Sequence, residues 1–264
     1  MEEIWGLKVR LRRAQDAKGD LLYIHGLGES GRCFEELIRR TELEGWNQWV
    51  PDLPGYGLSP RPGQPHTLKQ QSEELQGWMR KAGIRSAVLI GHSMGGVLGQ
   101  IFCESFPNRV RGFVNVEGNI TLPDCAYSAQ AIRPDGKPLQ QKDFIVSRFS
   151  KLLEGIAKRA HTDAAHAGYL ESLKLCDPAA FFLNSQELVQ LSQQKELATR
   201  LTKLQRHFPV LYVAGDPGGA APSSIQLLCD NRVPVQKISP AGNWPFLDQS
   251  TQFLRTLAGF LRRI

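Results

Sequence analysis

No stretch of the 264-residue chain holds the roughly 18 consecutive apolar residues that a helix needs to cross a bilayer, so no membrane-spanning helix is expected. The start, Met1-Glu2-Glu3, lacks the basic and apolar regions of a secretory signal, which points to a cytosolic protein. Cysteine is sparse: Cys33, Cys103, Cys125, Cys176 and Cys229 include no Cys-x-x-Cys pair. An odd, scattered set argues for reduced thiols rather than a disulfide framework or a zinc site. Among the six histidines, His161 and His166 are five apart, a poor spacing for one helical face, so neither a metal nor another cofactor is expected. Internal repeats and low-complexity tracts are absent, and Pro134-Asp135-Gly136-Lys137-Pro138 reads as a turn.

The charge is basic, formally +6, and residues 119–206 hold twelve Lys/Arg against nine Asp/Glu. These basic residues are interleaved with acids and lack an aromatic stacking series, so they read as a solvated helical surface and not as a nucleic-acid track. A preference for anionic substrates or an acidic carrier protein stays open. Apolar runs at 7–11, 20–24, 47–51, 86–90, 110–116, 209–214 and 233–238 read as strands, with helical patterns between them. That alternation predicts an α/β architecture, a mostly parallel sheet covered by helices on both faces. From Gly118 to Arg206 the pattern turns helical, at 142–159, 168–175 and 185–204, which predicts a helical cap at 119–206 inserted into a core of 1–118 and 207–264.

The densest chemical signal is Gly91-His92-Ser93-Met94-Gly95-Gly96, directly behind the apolar run Ala87-Val88-Leu89-Ile90. Gly-x-Ser-x-Gly between strand and helix is the pattern of a nucleophile elbow, in which a strained serine needs glycine two residues to either side. Ser93 is the candidate nucleophile. Upstream, Leu21-Leu22-Tyr23-Ile24 runs into His25-Gly26-Leu27-Gly28, which reads as an oxyanion loop. The Leu27 and Met94 N–H groups would face the charge that acyl transfer places on a carbonyl oxygen. A third landmark, the strand end and Pro/Gly turn from Val50 to Ser59, completes a set that resembles the α/β-hydrolase family along nearly the whole chain.

A rival pattern overlaps the second landmark. Gly26-Leu27-Gly28-Glu29-Ser30-Gly31 also matches a dinucleotide fingerprint, with Asp52 about twenty residues on. The His25-Gly26 pair and the elbow on the following strand favour the hydrolase reading over a dinucleotide-binding oxidoreductase.

The resemblance implies a triad of serine, acid and histidine, and here the chain departs from the family. The histidine is expected after Gly242, where this sequence has Asn243. An amide has no basic lone pair near neutral pH, so it can take a proton neither from serine nor from water. His25 and His92 belong to the loop and elbow segments, His66 to a Pro-rich loop, and His161, His166 and His207 read as solvated or structural. The triad acid has two candidates. The family's usual place falls on Gly218, which cannot serve, leaving Asp216 nearby in a Gly-Asp-Pro-Gly turn. Glu117 ends the earlier strand, as in haloalkane dehalogenases, and is favoured over Asp216. The resemblance thus implies a serine hydrolase of carboxylic esters, thioesters or lactones, acting on a small acyl substrate. Asn243 marks either a substrate-trapping form, the reading that the intact elbow and loop favour, or a binding protein without turnover.

Overall fold

The computed structural model describes residues 1–133 and 135–264. Its centre is an eight-stranded sheet of β1 (Glu2–Ile4), β2 (Leu7–Arg12), β3 (Asp20–Ile24), β4 (Asn47–Pro51), β5 (Ala87–His92), β6 (Val110–Val116), β7 (Val210–Gly218) and β8 (Val235–Gly242), in the spatial order 1-2-4-3-5-6-7-8. β1 and β2 pair antiparallel, as do β2 and β4, and every other neighbouring pair is parallel. The predicted mostly parallel sheet is therefore present, with one reversed strand, β2, second from one edge. All six residues of β5 are buried, as a central strand covered on both faces requires.

Helices α1 (Leu68–Lys81) and α2 (Met94–Ser105) follow β4 and β5. A reciprocal Thr67–Gln70 capping box sets the start of α1. Between β6 and β7 the described chain is mostly helical, built on α3 (Phe149–Ala160), α4 (Ala164–Leu173), α5 (Pro178–Gln194) and α6 (Leu197–Leu204). Two helices, α7 (Pro222–Asp230) and α8 (Ser250–Leu261), flank β8.

Several expected boundaries shift. The helix expected over 185–204 is two helices, broken at Lys195, whose φ of 58° is left-handed and cannot continue an α-helix. Asp177 starts α5 earlier than expected by accepting from the Ala179 N–H, with Pro178 at the first helical position. The segment expected over 142–159 is one helical turn, a wider i→i+5 stretch at Phe144–Arg148 and then α3. In the expected 134–138 turn, Pro134 lies outside the described residues; around it the Arg133 N–H donates to the Lys137 carbonyl. β7 and β8 both run past the expected ends, because Pro217 and Gly218 still pair with Ala241 and Gly242. This extension carries the loop with Asn243 to the carboxyl end of the sheet, where ligands bind in open α/β folds. No described helix is long and apolar enough to cross a membrane.

Candidate active site

Ser93 has φ 51° and ψ −117°, a left-handed conformation forced on a residue with a side chain. The glycines explain how the turn closes: a Cβ on Gly91 would strike the Gly95 carbonyl, and one on Gly95 would strike the Ile24 carbonyl oxygen. Of the six residues Gly91 to Gly96, Ser93 alone is not buried. Its side chain faces a cavity of about 660 Å³, whose walls also include Leu27, Glu117, Asn243 and Trp244.

The loop after β3 is fixed by its own polar groups. His25 donates from Nδ1 to the Gly26 carbonyl and accepts the Leu53 N–H at Nε2, 3.0 Å away. Burial disfavours its charged form and lowers its pKa. The Leu27 and Met94 N–H groups have no acceptor among the described residues. For Met94 this follows from its place in the first turn of α2, where N–H groups have no partner within the helix. The Leu27 carbonyl is held from α4 by the Tyr169 hydroxyl at 3.1 Å.

Glu29 is the residue that sequence reasoning missed. It is fully buried; Oε2 accepts the Gly26 N–H at 2.6 Å and His92 Nδ1 at 2.8 Å, while Oε1 accepts the Trp244 indole N–H at 2.6 Å. One carboxylate thus ties together the loop after β3, the turn after β5 and the loop after β8. Burial opposes its ionisation, yet the His92 charge and these donors outweigh it and lower the pKa. Burial likewise opposes charge on His92, and Glu29 carries that pKa above its ordinary value. A Glu placed in a Gly-rich loop three residues after His25-Gly26 was the available signal, obscured by the overlapping dinucleotide pattern. Asp52, the acid of that pattern, is fully buried and spent on the Arg10 guanidinium and the Gly31 and Leu58 N–H groups.

Asn243 stands beside His92: its carbonyl accepts from His92 Nε2 at 2.7 Å, and its Nδ2 lies 3.4 Å from the same atom. The two candidate acids separate. Glu117, with φ 55°, is buried and lines the cavity. Its carboxylate accepts the Gly215 N–H, and no hydrogen bond among the described residues joins it to Asn243. Burial pushes its pKa up to about 8, against the opposing Gly215 N–H bond and the positive charge of His92. Asp216 sits outside the cavity wall and pairs with Lys237 at 3.2 Å. Ser93, Leu27, Glu117 and Asn243 therefore share one cavity that Asp216 does not reach.

Residues 21–250 match the family model described as the alpha/beta hydrolase fold. The chain belongs to the alpha/beta-hydrolase family. Along most of its length it is similar to the pimeloyl-[acyl-carrier protein] methyl ester esterase of Proteus mirabilis, 26% identical over 253 residues and covering 92% of each chain. Its fold is similar to that of a Pseudomonas aeruginosa hydrolase, at TM-score 0.76 and 18% identity over 97% of this chain and 94% of that one. An enol-lactonase from Burkholderia xenovorans gives TM-score 0.76 at 15% identity, covering 97% of this chain and 96% of the other. Within the family the carboxyl end of the parallel strands hosts the chemistry, and that is where this cavity opens.

Proposed function

We propose that the protein is a serine hydrolase of a small carboxylic ester or a related thioester or lactone, whose acyl group is transferred to Ser93. The observation that carries this reading is the strained Ser93, partly exposed on a cavity that Leu27 also lines, with the Leu27 N–H and that of its own neighbour Met94 lacking acceptors among the described residues. In that arrangement the Leu27 and Met94 N–H groups hold the carbonyl oxygen as it becomes an oxyanion. Glu117 is the buried acid that belongs with position 243, and the helical insertion at 119–206 is the cap forming the cavity's outer wall. The P. mirabilis relative is named for a carrier-bound methyl ester; a carrier-bound or anionic acyl group also suits this basic chain. Its five free thiols suit a reducing, cytosolic setting.

Asn243 supplies no base, so turnover is set well below that of a histidine form, by analogy with triad deletions that cost on the order of 10⁴–10⁶. Acylation by an activated reagent still proceeds, because a good leaving group needs no general acid. The test is intact-protein mass spectrometry after incubation with a fluorophosphonate or an activated aryl ester. With the fluorophosphonate, a lasting increment that disappears in Ser93→Ala supports the reading; its absence, or an equal increment in Ser93→Ala, overturns it. The second reading, a ligand-binding member without turnover, is favoured by Asn243 itself. It stands if Asn243→His, shown folded, fails to raise ester hydrolysis.

A further inference from the structure

Two of the six histidines line the cavity that holds Ser93, and their ring nitrogens are in opposite states. His92 meets an acceptor at each nitrogen, the Glu29 carboxylate at Nδ1 and the Asn243 carbonyl at Nε2. Neither acceptor can donate. Both ring nitrogens of His92 therefore carry hydrogen, and no lone pair is left to take a proton. His166, on α4, differs. Its Nδ1 lies 2.7 Å from Asp163 Oδ2, so Nδ1 donates, while Nε2 lies 3.2 Å from the Tyr127 hydroxyl, which can donate in return. A neutral His166 consequently keeps a lone pair on Nε2, directed at a hydroxyl that itself lines the cavity. The remaining histidines do not compete: His25 has both nitrogens engaged, and His66, His161 and His207 lie outside the cavity wall.

The placement of His166 is built rather than incidental. Its ring packs edge-on against Trp244, centroids 5.1 Å apart, and Trp244 is the neighbour of Asn243. Asp163 caps α4 by accepting the Ala165 and His166 N–H groups. α4 is itself fastened to the oxyanion loop, through the Tyr169 hydroxyl on the Leu27 carbonyl and the Ser172–Ser30 hydroxyl pair at 3.0 Å.

We propose that the Asp163–His166 pair is the general base for water at the Ser93 acyl-enzyme, supplied from the helical insertion in place of a side chain at 243. This rests on the serine-hydrolase reading above. A cavity water exchanges with the Tyr127 hydroxyl at Nε2 and gives its proton to that nitrogen as its oxygen bonds to the acyl carbon. The carbonyl electron pair moves onto oxygen, facing the Leu27 and Met94 N–H groups. When the pair returns, the bond to Ser93 Oγ breaks and the proton passes from Nε2 to Oγ. The products are the free acid and the restored serine. Asp163 remains a carboxylate throughout, holding the imidazolium that forms.

The experiment follows decay of the Ser93 acyl adduct, formed with 4-nitrophenyl acetate, by mass spectrometry in the full-length protein. His166→Ala slows decay by about 10²-fold, the low end of what a general base contributes. Asp163→Asn slows it less, and the exposed His161→Gln, outside the cavity wall, decays like the native protein. Imidazole added to His166→Ala restores decay by at least about tenfold and leaves the native rate unchanged, a response that a merely structural defect would not show. The proposal is overturned if His166→Ala still labels at Ser93 and decays within about threefold of native, well short of a general base's contribution. It is overturned equally if imidazole gives no rescue of a folded variant. Failure of the native protein to label at all overturns the serine-hydrolase reading and this proposal with it.

Discussion

Two segments meet at the cavity floor, the elbow after β5 and the loop after β8, and they are held in place by different means. The elbow is shaped by contacts that leave no space: its glycines abut backbone carbonyls of Ile24 and of the turn itself. The loop after β8 is held by side chains, with His92 on the Asn243 carbonyl and Glu29 on the Trp244 indole. Sterics of this kind tolerate no side chain, whereas hydrogen bonds to a backbone carbonyl and to Trp244 do not depend on which side chain occupies 243. The loop can therefore keep its place while the side chain at 243 changes, and the elbow cannot.

The sharpest way to break that contrast is Asn243→His. If the loop is already in place, turnover of a short-chain aryl ester rises by about 10²–10⁴, part of what a triad histidine is worth. A rise under about tenfold in a folded variant means that the surroundings no longer support a base there. In the same background Glu117→Gln costs far more activity than Asp216→Asn, since only Glu117 lines the cavity.

On the elbow side, Gly95→Ala drives a methyl group into the Ile24 carbonyl. A loss of about 3–5 kcal/mol, or no folded protein, is expected in denaturant titration. A cost under about 1 kcal/mol, the size of an ordinary substitution, would show the turn to be far less crowded than its geometry implies.

Glu29→Gln tests the side-chain fastening. Glutamine has one acceptor oxygen for three donors, so its NH₂ must face either the indole N–H or the Gly26 and His92 pair. Stability falls by about 2–3 kcal/mol, the cost of leaving a buried donor unmatched next to a charged partner. Asn243 and Trp244 then gain hydrogen-exchange or proteolytic exposure ahead of Ser93. If the two segments loosen together, the distinction between them fails.

The smallest effect concerns pH. Glu117 has its folded pKa raised from 4.5 to about 8, so the folded state holds a proton that the unfolded state releases earlier. Its stabilising contribution is complete below about pH 4.5 and declines as pH rises through about 8. Glu117→Gln removes that decline, measured as a flatter stability profile between those values. In Asn243→His the decline shrinks as well, because an imidazolium beside the carboxylate favours its charged form.

The legible part of this protein lay where function is written into short stretches. A strained serine needs its flanking glycines, and a buried parallel strand needs its apolar run, so Gly91, Ser93, Gly95 and the strand at 87–92 could be read together. The lack of a base at 243 was equally visible, being a matter of residue type alone. Helix boundaries in the insertion were less so: the break at Lys195 leaves no glycine or proline at that position to announce it.

What only the tertiary structure decided was which distant groups meet. Glu29, His92 and Trp244 are separated by 63 and 215 residues from one another across their hydrogen bonds. His166 reaches the cavity because α4 packs on the loop after β3, 142 residues away. Residue type and local pattern determine what a side chain or turn can do by short-range sterics and proton affinity. Whether a histidine keeps its lone pair depends on partners that only the folded chain brings within hydrogen-bond distance, and no local pattern carries that information.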